Sequence, residues 1–580
     1  MASNELSRSH RVLRIPELLD MIFGYLDPNS NAVNARVCRR WSDIALDTLW
    51  KEVDDLYRLF GLLAPLRVVG PELREEYEFE RPPESADWRR FEKYANRVRR
   101  LKNYGIPPSG IVLKQSVFDD VARTRTRLNI LPNMHTLCWN APLDTCVMFM
   151  HGGVKTLYIF LPMEPQKPSP RPFFQEIAAR MPNLTTLDVR SCVPMRDIET
   201  EMVELLRALP KLHKVTFPRY YFTTRIAQAL SKQEHLGVIE FQYLPEQGFG
   251  CSLDVATFNP TLEEGAFPVL WDHSMAVGFD DAARFHNLPY APANLTMLYI
   301  DSNVVERPSS VRNLLSVIAE NCQLLQSLAL VSVRDASLSY MEDNDFDPDF
   351  MISFDHLKPM LKIQGLTSME LVHQYPLSLD RSNIEQIASS WPSIETLILN
   401  NEPVYLEKSN LTLEALIPFA RHCPKLSQLG LFIDADNIPD IPVDDHTSTS
   451  GGSVDYSSLP QFTSLRGLSM GISIISEEQF NRASLFLSHL LPLECRLNCG
   501  ITWDEATDVI PAVTKAVQER CEIWIRVADL LPVLIRLRKE ERERTRQLED
   551  EVKDLRMRVS LMNEQAVLGV KMDVSTCIMI

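Results

Sequence analysis

The feature that most constrains the fold is a six-residue unit, L-x-x-L-x-L, in which other apolar residues replace some of the leucines. Its last four positions alternate apolar and other side chains, which predicts a short strand with one buried face. Eleven copies begin at Met134, Val154, Leu184, Leu212, Leu236, Leu295, Leu325, Leu366, Ile394, Leu426 and Leu465. A unit repeated this often predicts a stack of similar elements, each covering its neighbour.

Helical segments fill the intervals between these units. The clearest predicted helices are Ile198–Leu209, Val311–Asn321, Leu411–His422 and Glu477–Leu491. A proline, such as Pro182 or Pro392, often stands just before the next unit and ends the helix, because the residue before Pro disfavours helical geometry. Strand plus helix at intervals such as the 28 residues from Leu184 to Leu212 is typical of leucine-rich repeats. The predicted fold class is α/β, an irregular solenoid or horseshoe over residues 61–528.

Three segments interrupt the array. The 59 residues between Leu236 and Leu295 must hold a further repeat, and the repeat count between 242 and 295 stays open. Acidic insertions lie near 341–350 and 434–458. The first alternates Asp residues like a calcium loop but has Pro348 where the turn needs Gly and Phe354 at the last ligand position. We interpret both as solvated insertions and predict no metal site.

The N-terminal stretch has more apolar surface than it can bury within itself. Pro16 suits the first turn of a helix, and the turn Asp27-Pro28-Asn29-Ser30 separates two amphipathic helical patterns. Fewer than forty residues with this much apolar surface cannot cover it internally. We therefore predict an all-α module at residues 8–60 that presents part of its apolar stripe as a docking surface.

The order of residues in this stretch resembles the F-box family. The matching runs are Ile15-Pro16-Glu17-Leu18-Leu19, Ile22-Phe23, Leu26-Asp27, Val37-Cys38-Arg39-Arg40-Trp41 and Leu49-Trp50. The resemblance implies docking onto a Skp-type adaptor, and through it a cullin scaffold, by Pro16, Leu18, Leu19, Ile22, Phe23, Leu26, Val37, Cys38, Trp41, Leu49 and Trp50. The family has larger aliphatic residues where this chain has Ala32, Val33 and Ala35, which predicts weaker docking.

With its repeats, the chain resembles F-box leucine-rich-repeat proteins, particularly divergent fungal ones. That resemblance implies a substrate-recognition adaptor of a cullin-RING (SCF-type) ubiquitin ligase, whose concave repeat face binds an unknown protein substrate for ubiquitination. Residues between the buried leucines are the predicted substrate contacts: Arg190, Gln242, Tyr299, Asp301, Glu370, Asn400 and Phe432. The alternative is a leucine-rich-repeat scaffold for protein–protein interaction, as a monomer or a dimer, with no ligase link.

The sequence of the C-terminal part predicts a change from repeats to a long helix. Cys495–Ile501 and Glu522–Val527 read as strands, and a charged helix is expected over 529–568. Its apolar residues follow the 4-3-4-3-4 spacing of a coiled coil, namely Leu548, Val552, Leu555, Val559, Met562 and Ala566. Dimerisation and folding back onto the solenoid are both compatible with this pattern.

The tail, 569–580, ends in Cys577-Ile578-Met579-Ile580, a C-a-a-X arrangement that can be prenylated. Ile is unusual at the last place, and a single lipid chain without a polybasic run anchors weakly. A membrane role is therefore predicted only if Cys577 carries a lipid.

A basic stripe is predicted on an amphipathic helix around Trp88–Val98. Arg89, Lys93, Arg97 and Arg100 would form either a grip for an acidic partner segment or a solvated helix face.

Composition and motifs narrow the remaining function classes. A net charge of −17 argues against a nucleic-acid partner, because binding phosphates needs a basic face. The eleven cysteines include no C-x-x-C pair, which argues against a zinc ribbon and predicts reduced thiols in a cytoplasmic or nuclear protein. No signal peptide or membrane span is expected. No catalytic motif occurs, so we expect a non-catalytic protein without a cofactor.

Overall fold

A computed structural model describes residues 15–70, 76–103, 110–162, 170–242, 245–332, 346–437, 459–502 and 511–576, with the backbone alone at 511–512 and 563–576. Residues 341–345 of the first acidic insertion, 438–458 of the second, and Cys577 lie outside the described part. The chain divides into two compact units, which are Met1–Asp301 with Glu320–Leu324 and Ser302–Ala319 with Leu325–Ile580.

Unit 1 begins with three helices and continues as strands that alternate with helices. Its helices are α1 Pro16–Gly24, α2 Pro28–Asn34, α3 Arg39–Lys51, α4 Leu56–Phe60, α5 Ser85–Ala95, α6 Gln115–Thr124, α7 Leu143–Cys146, α8 Arg171–Arg180, α9 Glu199–Arg207, α10 Thr224–Leu230 and α11 Phe279–His286. Its strands are β1 Glu52–Val53, β2 Leu66–Val69, β3 Glu76–Phe79, β4 Arg100–Asn103, β5 Val112–Leu113, β6 Thr136–Trp139, β7 Thr156–Leu161, β8 Thr186–Ser191, β9 Lys214–Phe217, β10 Val238–Phe241, β11 Asp272–Met275 and β12 Met297–Asp301.

The strands of unit 1 form two sheets. The main sheet has the order β1-β4-β6-β7-β8-β9-β10-β11-β12, so strand follows strand in chain order. Each pair is parallel and in step: the second apolar residue of one unit lies beside that of the next, as in Leu137↔Leu157↔Leu187. A separate sheet, β2-β3-β5, lies between β1 and β6 in the sequence.

Unit 2 repeats the same arrangement with a long final helix. Its helices are α12 Pro308–Asn321, α13 Phe354–Leu357, α14 Arg381–Ser390, α15 Leu416–His422, α16 Phe480–Leu490 and α17 Pro511–Thr576. Its strands, all parallel in chain order, are β13 Ser327–Ser332, β14 Ser368–His373, β15 Thr396–Leu399, β16 Gln428–Leu431, β17 Gly467–Gly471 and β18 Arg496–Cys499. Burial alternates along β13, β14 and β15.

The predicted repeat pattern is confirmed. Each of the eleven L-x-x-L-x-L units ends in a strand, and all three apolar positions of every unit are buried except Phe241. A polar residue three places beyond the last of these units bonds the backbone of the preceding repeat, because the hydroxyl of Ser473 donates to the carbonyl of Leu431 and accepts from the amide of Ile433. Each repeat thus buries its apolar side against the next.

The repeat that the sequence leaves unplaced is β11. It follows Leu270-Trp271-Asp272-His273-Ser274-Met275, in which a histidine occupies the place of the second leucine. His273 is completely buried, and its ring packs against Phe222 with centroids 4.9 Å apart. Burial, with a smaller effect of His286, holds the pKa of His273 well below its ordinary value. A neutral imidazole therefore fills a leucine position.

The predicted strand Glu522–Val527 is wrong, and the final helix begins at Pro511 and not near Asp529. The buried apolar residues of this segment recur every three to four positions, as in a helix, and are Trp524, Val527, Leu531 and Ile535. A short apolar run does not distinguish a strand from a buried helix, and here the period of 3 to 4 residues decides the outcome.

Among the described residues, no helix is both long and apolar enough to cross a membrane. Within the same part of the chain, no cluster of three or more His, Cys, Asp or Glu side chains is placed to hold a metal ion.

Candidate docking faces on the helical module and the repeats

Helices α1 to α3, referred to below as the helical module, have a small core of their own. Leu19, Phe23 and Ala45 are buried, and Ala35, Trp41 and Ile44 pack against them. The ring of Trp41 meets Phe23 edge to face, with centroids 5.4 Å apart, a favourable aromatic geometry. The module is therefore held together without using its whole apolar surface.

Two polar residues fix the turn between α1 and α2. The carboxylate of Asp27 accepts from the amides of Asn29 (2.9 Å) and Ser30 (3.0 Å) and from the Ser30 hydroxyl (2.6 Å), which caps α2 and lowers the pKa of Asp27. The buried side chain of Asn31 donates to the carbonyls of Phe23 (2.9 Å) and Leu26 (3.3 Å). These bonds satisfy carbonyls at the end of α1 and hold the two helices in one orientation.

An apolar face of the module remains exposed. Tyr25 is 87% exposed, Val33 64%, Met21 60% and Val37 58%. Ile15, Ile22 and Leu26 add further exposed apolar surface. This concentration of large apolar side chains on some two dozen residues is the mark of an interaction site.

The predicted adaptor-binding residues divide into three groups. Pro16, Ile22, Leu26, Val37 and Cys38 are exposed; Leu18, Trp41 and Leu49 are half-buried; Leu19, Phe23 and Trp50 are buried. Leu19, Phe23 and Trp50 are therefore not available at the surface, and adaptor binding by the eleven residues stays a prediction. Helical spacing did not single out Met21 and Tyr25, which lie beside the predicted apolar stripe of α1. Both side chains are strongly exposed.

Trp50 fastens the module to the repeats instead. Its ring lies 5.2 Å from that of Tyr94, and the Arg58 guanidinium sits 4.9 Å above it. Strand β1, which continues directly from α3, pairs with β4 through Glu52↔Arg100 and Val53↔Leu101. Helix α3 thus serves as the helix of the first repeat as well as the third helix of the module.

The predicted basic stripe is wrong, because α5 ends at Ala95 and Arg97 and Arg100 lie beyond it. Arg97 pairs with Asp43 (3.2 Å) and Asp47 of α3 and also donates to the Asp43 carbonyl at 2.8 Å. Arg100 lies 3.8 Å from Glu52. Arg97 therefore holds α3 in place and Arg100 lies beside β1, whereas Arg89 and Lys93 have exposed side chains.

The strands of unit 1 present an open face, which consists of the side chains that alternate with the buried apolar positions. On β7 and β8 it carries a cation among aromatic rings. The Arg190 guanidinium lies 5.2 Å from the ring centroid of Phe160 and 5.8 Å from that of Tyr158, and its Nε is 3.3 Å from Asp188. Burial raises the pKa of Asp188, and Arg190 offsets this only in part.

Carboxylates continue the open face across β9 to β11. Glu240 pairs with Lys214 at 2.7 Å and accepts from the amide of Gln242 at 3.1 Å. Burial, together with the negative charge of Glu240, raises the pKa of Asp272 to about 6. Tyr299 on β12 packs edge to face against Phe241, with centroids 5.3 Å apart. This stretch therefore combines aromatic rings, acids and two cations.

Three of the predicted substrate contacts are buried, so their assumed exposure is wrong. Asp301 accepts from Arg219 at 2.6 Å. Asn400, at φ 48°, accepts from the amide of His373 (2.8 Å) and donates to the carbonyl of Tyr375 (2.7 Å), which ties the turn after β15 to the loop that follows β14. Phe432 is an apolar part of the core.

Four predicted contacts keep part of their surface: Arg190, Gln242, Tyr299 and Glu370 are all intermediate in exposure. On Glu370 of β14, burial and the nearby charge of Glu402 raise the pKa. Glu402 itself accepts from the Thr502 hydroxyl at 2.9 Å, so the loop after β15 reaches the loop after β18. Substrate binding by these four residues stays a prediction.

Residues 16–55 match the F-box-like family. This range spans α1 to α3, β1 and the residue before α4. No curated protein sequence matches the chain significantly.

Among solved structures, the chain is similar at 14% identity to the LRIM1/APL1C complex, covering 80% of this chain and 74% of that one at a TM-score of 0.26. It is also similar to the leucine-rich repeat-containing protein LegL7 from Legionella pneumophila at 14% identity, covering 66% and 94% at a TM-score of 0.28. A third is the TLR13–ssRNA13 complex at 14%, covering 72% and 62% at 0.25. At these values the likeness carries no argument about function.

The repeat assignment rests on the strand register and the burial of the leucine positions. The chain therefore combines an F-box-like module at residues 16–55 with an array of parallel strands that have leucine-rich-repeat spacing. The predicted fold class, a helical module followed by an irregular parallel-stranded array and a long C-terminal helix, is confirmed. Both parts, the F-box-like module and the repeat array, are of the kind that serves protein–protein interaction.

Proposed function

We propose that the chain is the substrate-recognition subunit of a cullin-RING (SCF-type) ubiquitin ligase. The observation that carries the proposal is the exposed apolar face of the F-box-like module, centred on Tyr25, Val33 and Val37. The module has its own packed core, so this surface is not needed for its folding. A Skp-type adaptor, itself bound to a cullin scaffold, is the partner that the F-box-like match suggests.

The exposed apolar residues would contribute substantially to such docking. Burying an apolar side chain of this size is worth about 1.5–3 kcal/mol, so each half-exposed residue offers about 1 kcal/mol. Seven such residues offer about 7 kcal/mol, which lies within the range of about 4–15 kcal/mol that association costs. The small side chain of Ala32 reduces the area contributed by α2 relative to α1.

The role of the chain in ubiquitin transfer would be positional. The module holds the ligase, and the open face of the repeats holds the substrate protein, so that the substrate's lysines are kept at high effective concentration near the transfer machinery. The chain itself then needs no catalytic group. Arg190 with its aromatic neighbours and Tyr299 are the proposed anchors, because aromatic and arginine side chains dominate interface energy.

The test is co-purification of the full chain with a purified Skp-type adaptor. The variant Leu26→Glu/Val37→Glu places two charges on the exposed face without touching the core formed by Leu19, Phe23 and Ala45. We expect capture by the wild type and at least a tenfold loss of affinity in the variant. Trp41 is a poor target for this purpose, because it packs against Phe23.

Leu128→Glu is the matched control, since Leu128 is equally apolar and 66% exposed but lies outside the module. It should bind the adaptor like the wild type. A wild type that folds, by circular dichroism, and captures no adaptor would overturn the ligase proposal and leave the interaction scaffold. A module variant that binds as tightly as the control would show that this face is not the docking site.

A further inference from the structure

The final helix, α17, consists of an anchored part and a projecting part. Along the anchored part, buried Val513, Trp524 and Ile535 pack within unit 2, and the Trp524 indole donates to the carbonyl of Ser473 at 2.9 Å. Beyond Ile535, no described side chain is buried. At about 1.5 Å per residue, the helix runs on for roughly 60 Å to Thr576.

The projecting part carries an apolar stripe. Its members are 45% to 69% exposed and are Leu548, Val552, Leu555, Val559 and Met562. Their alternating spacing of four and three residues places Val552 and Val559 at heptad positions a and the other three at d. Within the described residues, nothing from this chain covers the stripe, so the prediction that this helix folds back onto the repeats is not met there.

The residue types at these positions fit one kind of partner. Valine at a with leucine at d favours two-stranded parallel coiled coils, because β-branched side chains suit the a layer of a dimer. The stripe therefore matches a second copy of itself. Met557 and Leu561 are also exposed but lie at f and c, outside the seam.

The flanking charges agree with this partner. In a parallel pair, the g residue of one helix faces the e residue of the next heptad on the other. Here Arg544 (g) would face Glu549 (e) of the second copy, and Glu551 (g) would face Arg556 (e). Both contacts are attractive and occur twice in a symmetric dimer, which gives four opposite-charge pairs beside the seam.

We infer that two copies of this chain associate through α17 as a parallel, in-register two-stranded coiled coil over residues 544–562. About three heptads are marginal for free peptides, because a helix must first be nucleated. In this chain the anchored part has already formed the helix, so association only has to bring two existing stripes together. The inference is independent of any ligase role.

The experiment measures the mass of the full chain by sedimentation at concentrations up to about 100 µM. We expect the wild type to form dimers in this range. Glu549→Arg/Glu551→Arg makes every facing e–g pair positive, and Arg544→Glu/Arg556→Glu makes every pair negative, so each variant alone should be monomeric. An equimolar mixture of the two should regain the dimer, because each pair then joins opposite charges.

The matched control is Glu543→Arg/Asp550→Arg, which changes net charge equally at outward-facing f positions and should leave the dimer intact. All these positions are exposed, so the fold of unit 2 is not at risk. A wild type that stays monomeric, or variants that dimerise like the control, would overturn the inference.

The relative orientation of the two α17 helices is tested with Met562→Cys. In a parallel pair the two Cys residues face each other, and mild oxidation followed by peptide mapping should find a 562–562 disulfide. In an antiparallel pair they would lie roughly 25 Å apart, and absence of this bond in a dimer would overturn the parallel arrangement.

Discussion

The helical module and the repeats of unit 1 are built from similar apolar residues but handle them in opposite ways. In the repeats, each strand and helix is covered by the next, and Leu137, Leu157 and Leu187 are completely buried. In the module, Leu19 and Phe23 are buried while Met21 and Tyr25, on the same helix, are exposed. The difference shows that stacking removes apolar surface along the array, whereas the module keeps large apolar side chains exposed within the part of the chain that the structure describes.

The largest expected effect lies in the repeats. Trp139→Ala removes a completely buried indole that also donates to the carbonyl of Pro142 at 3.1 Å. Loss of burial and the resulting cavity should lower the free energy of unfolding of unit 1 by about 3–5 kcal/mol. The measurement is the urea midpoint followed by circular dichroism. A loss under about 1 kcal/mol would contradict the description of the repeats as the stability-bearing region.

A change of pH should have an effect of intermediate size on the free energy of unfolding. Burial lowers the pKa of His286 to about 4, below its usual value of about 6.5 in an unfolded chain. Between these two pKa values, His286 is protonated in the unfolded state and neutral in the folded state. The free energy of unfolding therefore falls as pH drops from about 6.5 to about 4. For His286 the loss at pH 5 is about 2 kcal/mol.

The contribution of His286 is isolated by comparing the wild type with His286→Leu at pH 7 and pH 5. The variant should lose less stability on acidification. Asp272, whose pKa is raised to about 6, acts in the opposite direction over the same range and is present in both proteins. Equal losses in the two proteins would show that this imidazole is protonated in the folded state.

The smallest expected effect lies on the exposed face of the module. Tyr25→Ala removes a large side chain that packs against little, so the free energy of unfolding should change by less than about 0.5 kcal/mol. Thermal melts of the full chain check this. A loss comparable to that of Trp139→Ala would remove the contrast between the two regions and show that Tyr25 belongs to the core.

Much of the fold could be predicted because the repeat pattern is local. Eleven strands followed from spacing alone. The repeat at β11 was missed because His273 stands where a leucine was expected, and pattern matching counts a histidine as polar. The strand predicted at Glu522–Val527 was wrong because a short apolar run fits either structure, and only the surface against which it packs selects the helix.

The candidate sites were predictable in location but not in detail. Order and spacing indicated that the module docks, yet spacing cannot distinguish Phe23, which forms the core, from Tyr25, which faces solvent. The predicted substrate face shows the same limit, because Asn400 looked like a surface amide and instead satisfies backbone groups at Tyr375 and His373. Burial depends on which elements meet.

The sequence by itself determined the class of this protein, the period of its repeats and the heptad stripe of its last helix, because these depend on side-chain spacing along one chain. The tertiary structure decided which apolar side chains became core and which stayed exposed. It also decided that Arg97 pairs with α3 and that α17 begins at Pro511. Contacts between distant segments exchange hydration for packing, and that balance is set only when the segments come together.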